Sequence, residues 1–93
     1  MDELKLLRDR ERGARAEALL RDDLLTETFE ILEKRYIEEW AMTQFRDQEA
    51  RERLWTAVNV NRKYRDHLRT VVASGKLAQK QLNDLTGLNR LAG

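Results

Sequence analysis

The side chains that most often do chemistry are few in this sequence. His67 is the only histidine, and the chain has no cysteine. His67 falls beyond the edge of the apolar arc of its predicted helix, and a metal site here would have to be built from carboxylates alone. We therefore predict no metal site and interpret His67 as a solvent-exposed helix residue.

Two pairs of adjacent carboxylates, Asp22/Asp23 and Glu38/Glu39, are the candidates for general acid–base chemistry. Successive residues of a helix point about 100° apart, so neither pair converges on one substrate atom. We interpret the first pair as a helix cap and the second as part of a solvated acidic surface.

The dipeptide Gly75-Lys76 is the one feature that suggests a phosphate-binding loop. Thr70 stands where that motif has its first glycine, and Leu77 stands where a serine or threonine would coordinate magnesium. Ser74 lacks the strand-to-helix turn of a nucleophilic serine. The sequence therefore predicts a protein that is not an enzyme and that has no cofactor.

Size and composition limit the fold that could position any site. The chain has 93 residues, of which 38% are charged, with no proline and four glycines. A chain of this length forms one small domain, which we predict over residues 1–93. Its start has no apolar signal segment, and no stretch is long enough to span a membrane. We expect a cytoplasmic protein without membrane contact.

The net charge of +1 hides two halves of opposite sign. Residues 1–52 carry a balance of −5 and residues 53–93 a balance of +6. Either an acidic helix and a basic helix neutralise each other, or the basic half faces a polyanion such as DNA. The sequence leaves both interpretations open.

Apolar spacing throughout the chain is helical and predicts an all-α fold. We expect a weak N-terminal helix over 2–20 with Gly13 near its middle, a helical hairpin over 22–73, and a short C-terminal helix and tail over 76–93. Asp22 or Asp23 caps the second helix, Asp47 caps the third, and Ser74-Gly75 ends it. The tail is either disordered or a docking segment. The predicted core and oligomer contacts are Leu24, Leu25, Phe29, Ile31, Leu32, Tyr36, Trp40, Leu54, Val58, Asn61, Leu68 and Val72.

Two features of the hairpin concern its partners. Leu24, Ile31 and Met42 form a second apolar lobe about 100° from the main stripe of their helix, which predicts a homo-oligomer built as a helical bundle or ring. Asn61 lies at a heptad position, where it is either a register-setting polar residue between helices or a solvent-facing side chain.

A basic surface follows the outer side of the third helix. Three interpretations fit it: a solvated face, a protein-interface anchor at the tryptophan, or a nucleic-acid contact in which arginines track phosphates. The candidate nucleic-acid-binding residues are Arg51, Trp55, Arg62, Lys63, Arg69 and Lys76.

Two blocks of the sequence resemble short helical proteins of tailed bacteriophages and gene transfer agents, some of which are small terminase subunits. They are ERGARAEALLRDDLLTETFEILEKRYIEEW over residues 11–40, and RERLWTAVNV with RDHLRTVVASGKLA over residues 51–60 and 65–78. The resemblance implies a non-enzymatic, oligomeric DNA-packaging component that binds double-stranded DNA and a large terminase subunit.

The chain departs from that family at its N-terminus. Small terminases commonly carry an N-terminal helix-turn-helix domain, for which the first 21 residues are too short. We therefore expect any DNA contact to be non-specific, backbone-directed and salt-sensitive. The alternative function is a structural or adaptor protein of a phage head or tail that binds only protein.

Overall fold

Three α-helices make up the fold in the computed structural model, which describes residues 2–92 and side chains as far as Gly87. Helix α1 spans Glu3–Arg21, α2 spans Asp23–Met42 and α3 spans Gln48–Ala92. Between residues 2 and 92 there is no strand. The all-α prediction is therefore confirmed.

An aspartate stands immediately before each helix and caps it. Asp2 Oδ1 accepts a hydrogen bond from the Leu4 amide at 3.0 Å, and Asp22 Oδ1 accepts one from the Leu25 amide at 2.9 Å. Asp47 Oδ1 accepts from the Ala50 amide at 3.1 Å. Each carboxylate satisfies an amide that the first turn leaves without a helical partner. The predicted caps of α2 and α3 are confirmed, with Asp22 rather than Asp23 capping α2.

The predicted helix end at Ser74-Gly75 is wrong, and so is the separate short helix after it. Helix α3 runs through both residues without interruption, and Gly75 does not have a positive φ. Glycine is common at helix ends because it takes the left-handed conformation easily. At this position its missing side chain serves close packing instead. The expected tail is helical through Ala92, whereas its docking role falls on side chains 88–92 and on Gly93, outside the described residues.

The chain divides into two compact units, Arg21–His67 and the combination of Met1–Leu20 with Leu68–Gly93. In the second of these, α1 packs against the C-terminal part of α3 at Gly13 and Gly75. A Cβ built on either glycine would lie 2.6 Å from the Cα of the other, which is far inside van der Waals contact. Ala16 and Ala78, each three residues further along its helix, are also buried. Small residues on one side of each helix thus allow the two backbones to approach closely.

The unit Arg21–His67 is an antiparallel hairpin of α2 and the first part of α3. Residue 29 contacts residue 61, and residue 40 contacts residue 51, so the two helices run in opposite directions. Every residue from 21 to 67 is described, and only Val58 and Asn61 among them are buried. Helix α2 has no buried residue. The hairpin by itself therefore encloses very little core.

None of the three helices, over the residues described, is long and apolar enough to cross a membrane.

Candidate functional site

The residues first considered for catalysis take structural positions. Asp22 is the cap of α2, Glu38 lies 4.0 Å from Lys34 one turn earlier in the helix, and His67 is exposed. Residues 74–76 are helical rather than a loop, so their amides cannot cradle a phosphate. No group of three potential metal ligands comes together within the described part of the chain.

Arg51 is occupied by contacts within the hairpin. Its Nη1 donates to Thr43 Oγ1 at 2.9 Å and to the Trp40 carbonyl oxygen at 3.4 Å. Its guanidinium carbon lies 4.1 Å from the centre of the Trp40 ring, a cation–π distance. The Thr43 hydroxyl also donates to the Trp40 carbonyl at 2.6 Å. Arg51 therefore secures the end of α2 and the turn that follows it.

Arg62 and Trp55 belong to the same set of contacts. Arg62 Nε donates to Glu33 Oε1, and its guanidinium carbon lies 5.8 Å from the centre of the Trp55 ring. The rings of Trp55 and Trp40 are 6.2 Å apart and tilted by 46°, within the range of favourable aromatic pairs. Both residues thus already have partners on α2.

Arg65, which the sequence did not single out as a candidate, adds a second ion pair. Its Nη2 lies 3.6 Å from Glu30 Oε1, and its guanidinium carbon lies 5.8 Å from the Phe29 ring centre. Acidic side chains of α2 and basic side chains of α3 therefore meet across the hairpin. We call this surface the paired face; its residues are Glu30, Glu33, Trp40, Arg51, Trp55, Arg62 and Arg65.

The six candidate nucleic-acid-binding residues are distributed over the two units. Arg51, Trp55 and Arg62 lie together on the paired face, while Lys63 is exposed in the same unit. Arg69 and Lys76 belong to the other unit. Arg69 has contacts of its own, and Lys76 borders a cleft of about 180 Å³ beside Gly13.

The hairpin's other side is an open apolar groove. On α3, Val60 and Arg62 are two residues apart, which places their side chains about 200° apart around the helix. The groove has a volume of about 560 Å³, and Arg53 is the charged residue in its lining. We call this surface the open groove; its apolar residues are Phe29, Leu32, Tyr36, Ala57, Val60 and Tyr64.

The predicted core residues divide between the seam and the surface. Val58 and Asn61 are buried, and Leu25, Phe29, Leu32, Tyr36, Trp40, Leu54, Leu68 and Val72 are half-buried. The second lobe is solvent-exposed: Leu24 is 72%, Ile31 46% and Met42 86% accessible. Asn61 Nδ2 donates to the Phe29 carbonyl oxygen at 2.9 Å, so Asn61 lies between the helices and does not face solvent.

Sequence reasoning missed Thr56 and Val60 as groove residues. A signal for them was present in the sequence, because residues spaced three and four apart lie on one side of a helix. The residues with this spacing are Arg53, Thr56, Val60 and Tyr64.

Compared with known proteins, the chain matches no family model, no curated protein and no solved structure. Function is therefore inferred from the geometry of the hairpin.

Proposed function

We propose that this chain is a non-enzymatic assembly component that binds other helices, including those of its own copies, through the open groove of its hairpin. The observation that carries the proposal is the difference between the two sides of the hairpin. One side has its charges and aromatic rings paired, whereas the other presents apolar side chains around a groove of about 560 Å³.

Energetics favour association through this side. A two-helix unit of 47 residues with two buried side chains has too small a core to supply more than a few kcal/mol of stability. Filling the groove with another helix would remove apolar surface from water at about 25 cal/mol per Å². Association therefore compensates for what the short chain cannot bury alone.

The test compares two charge insertions at aliphatic positions of similar exposure. Val60 lines the open groove and is 43% accessible, whereas Ile37, one residue from Tyr36, is 38% accessible and points away from the groove. We expect Val60→Arg to reduce the solution mass to that of a monomer in light scattering, and Ile37→Arg to leave the wild-type mass unchanged. Circular dichroism checks that both variants keep their helices.

Two results would contradict this function. One is a wild-type chain that stays monomeric up to about 1 mM, where only very weak association escapes detection. The other is an equal loss of mass in both variants, which would point to general destabilisation rather than to the groove.

The resemblance to small terminase subunits supplies a setting for the assembly, namely DNA packaging with a large terminase subunit. Within this proposal, DNA contact falls to exposed lysines such as Lys63 and Lys76, because Arg51 and Arg62 are held by hairpin contacts. Non-specific binding of this kind weakens steeply with salt, by a slope of about −0.9 per neutralised phosphate.

A gel-shift titration of double-stranded DNA across salt concentrations distinguishes a DNA-packaging component from an adaptor that binds only protein. We expect Lys63→Ala with Lys76→Ala to lower the salt slope by about 2, while Lys34→Ala on α2 leaves it unchanged. If the wild-type chain does not bind DNA at low salt, the packaging role is wrong. The assembly component would then bind only protein, as a head or tail adaptor does.

A further inference from the structure

We propose that the occupant of the open groove is the groove of a second copy, in a symmetric four-helix arrangement in which Glu39 of each copy pairs with the partner's Arg53. This inference rests on the proposed function and adds the partner, its direction and its register.

The direction follows from the antiparallel hairpin. A two-fold axis parallel to the helices sets groove against groove and places α2 of one copy beside α3 of the other. Because α2 and α3 are antiparallel within each copy, these new neighbours are antiparallel as well. All adjacent helices then alternate in direction, as in up-down-up-down four-helix bundles, and the same surface is used by both copies.

The level of each residue along the hairpin follows from its internal contacts. Phe29 contacts Asn61 and Trp40 contacts Arg51, so Glu39 lies at nearly the height of Arg53. Leu32, in the middle of α2's groove wall, lies close to the height of Val60. An axial two-fold preserves these heights, and the apolar middle of one wall therefore meets the apolar middle of the other.

Two residues of opposite charge, Glu39 and Arg53, lie at one end of the groove and support this register. Arg53 lines the groove, and Glu39 follows Leu32 by seven residues and Tyr36 by three, which puts it on the same side of α2 as those two lining residues. Both Glu39 and Arg53 are exposed. Across the axis each faces the opposite charge on the partner, so the dimer gains two such pairs.

The arrangement also explains why the ion pairs within the hairpin leave these two residues out. Glu30 and Glu33 meet Arg65 and Arg62 on the paired face. Arg53 Nη2 instead lies 4.0 Å from Glu49 Oε1 in its own helix, and both side chains are at least three-quarters exposed. Exposed helix pairs of this kind contribute little. Arg53 is therefore available to a carboxylate on another copy.

A charge-exchange experiment on the full chain tests the register. We expect Glu39→Arg alone and Arg53→Glu alone each to raise the dimer dissociation constant about ten-fold or more, because each places two pairs of like charges in the dimer. Combining the two substitutions in one chain should restore the constant to within about three-fold of wild type. Analytical ultracentrifugation measures all three.

Two matched controls reverse charges away from the groove on the same helices. Glu38→Arg on α2 and Lys80→Glu on α3 change exposed residues. Glu38 points to another side of α2, and Lys80 lies sixteen residues beyond Tyr64 of the groove lining. We expect less than about a three-fold effect from each. If the double variant associates no better than the single ones while wild type still dimerises, this register is wrong and the assembly function stands. If the groove variant Val60→Arg also leaves the wild-type mass unchanged, the groove itself is not the interface.

Discussion

Asn61 is the polar side chain that the hairpin places between its two helices. Its amide donates to the Phe29 carbonyl oxygen at 2.9 Å, and the side chain is 9% exposed. A buried amide that reaches one specific backbone group stabilises one alignment of α2 on α3 over its neighbours. Asn61 therefore fixes how α2 and α3 are aligned along their axes, and this alignment determines which residues form the paired face and the open groove.

Asn61→Ala should lower the free energy of unfolding by about 1 kcal/mol or somewhat more, because it removes a buried hydrogen bond and leaves a small void. Asn59→Ala is the matched control: Asn59 Nδ2 donates to Trp55 O at 3.0 Å within its own helix, and alanine gains helix propensity there. Urea unfolding of both variants measures the difference. Equal changes in the free energy of unfolding would mean that the hydrogen bond to Phe29 does not stabilise the hairpin.

Among individual residues, the contacts of the arginines were the hardest to predict from the sequence. Helical spacing puts Arg51, Trp55 and Arg62 in one sector of α3 from the sequence alone. Whether that sector faces solvent, DNA or α2 depends on where α2 lies, which spacing within α3 does not determine. The contacts to Trp40 and Glu33 answer this for Arg51 and Arg62.

At the scale of the helices, starts were predictable and one end was not. The caps at Asp22 and Asp47 depend on amides three residues away, so local sequence contains the necessary information. Gly75 looks like a helix stop by the same local rule. Its actual role depends on Gly13, more than 60 residues earlier in the chain, and no local pattern links the two.

Gly13→Ala tests whether this glycine is only a poor helix former or is needed for close packing, because the two cases predict opposite changes in the free energy of unfolding. Local propensity alone predicts that alanine stabilises α1 by about 1 kcal/mol. The structure predicts destabilisation by about 1–3 kcal/mol, because the new Cβ would lie 2.6 Å from the Gly75 Cα and 3.2 Å from the Val71 carbonyl oxygen, which is overpacking against backbone.

Gly87→Ala is the control for that experiment, since a Cβ at Gly87 would meet nothing within 4 Å. We expect this variant to be up to about 1 kcal/mol more stable than wild type. Thermal or urea unfolding of both variants provides the comparison. A stabilised Gly13→Ala variant would show that α1 and α3 do not pack through these glycines.

At the scale of the whole molecule, charge and size have separate consequences. The net charge of +1 combines an acidic and a basic half, and the pairs Glu33–Arg62 and Glu30–Arg65 neutralise part of that difference inside the hairpin. Size is not compensated in the same way. Val58 and Asn61 are the buried residues of 21–67, and this small core is the basis of the proposed association through the open groove.

The open groove was only partly predictable for the same reason. Leu32, Phe29 and Tyr36 belong to an apolar stripe that the sequence displays, but Val60 and Thr56 become groove residues only when α2 is set on one particular side of α3. The oligomer remains a prediction, and we now place its interface at the open groove. Leu24, Ile31 and Met42, from which the oligomer was first predicted, are exposed as well.

Self-association of the wild-type chain is best measured by sedimentation equilibrium over a dilution series, because this method gives the mass without a mutation or a chosen partner. We predict a mass of at least two chains of 11.0 kDa that falls toward one chain on dilution, as mass action requires. A constant mass of one chain at every concentration, up to about 1 mM, would contradict it.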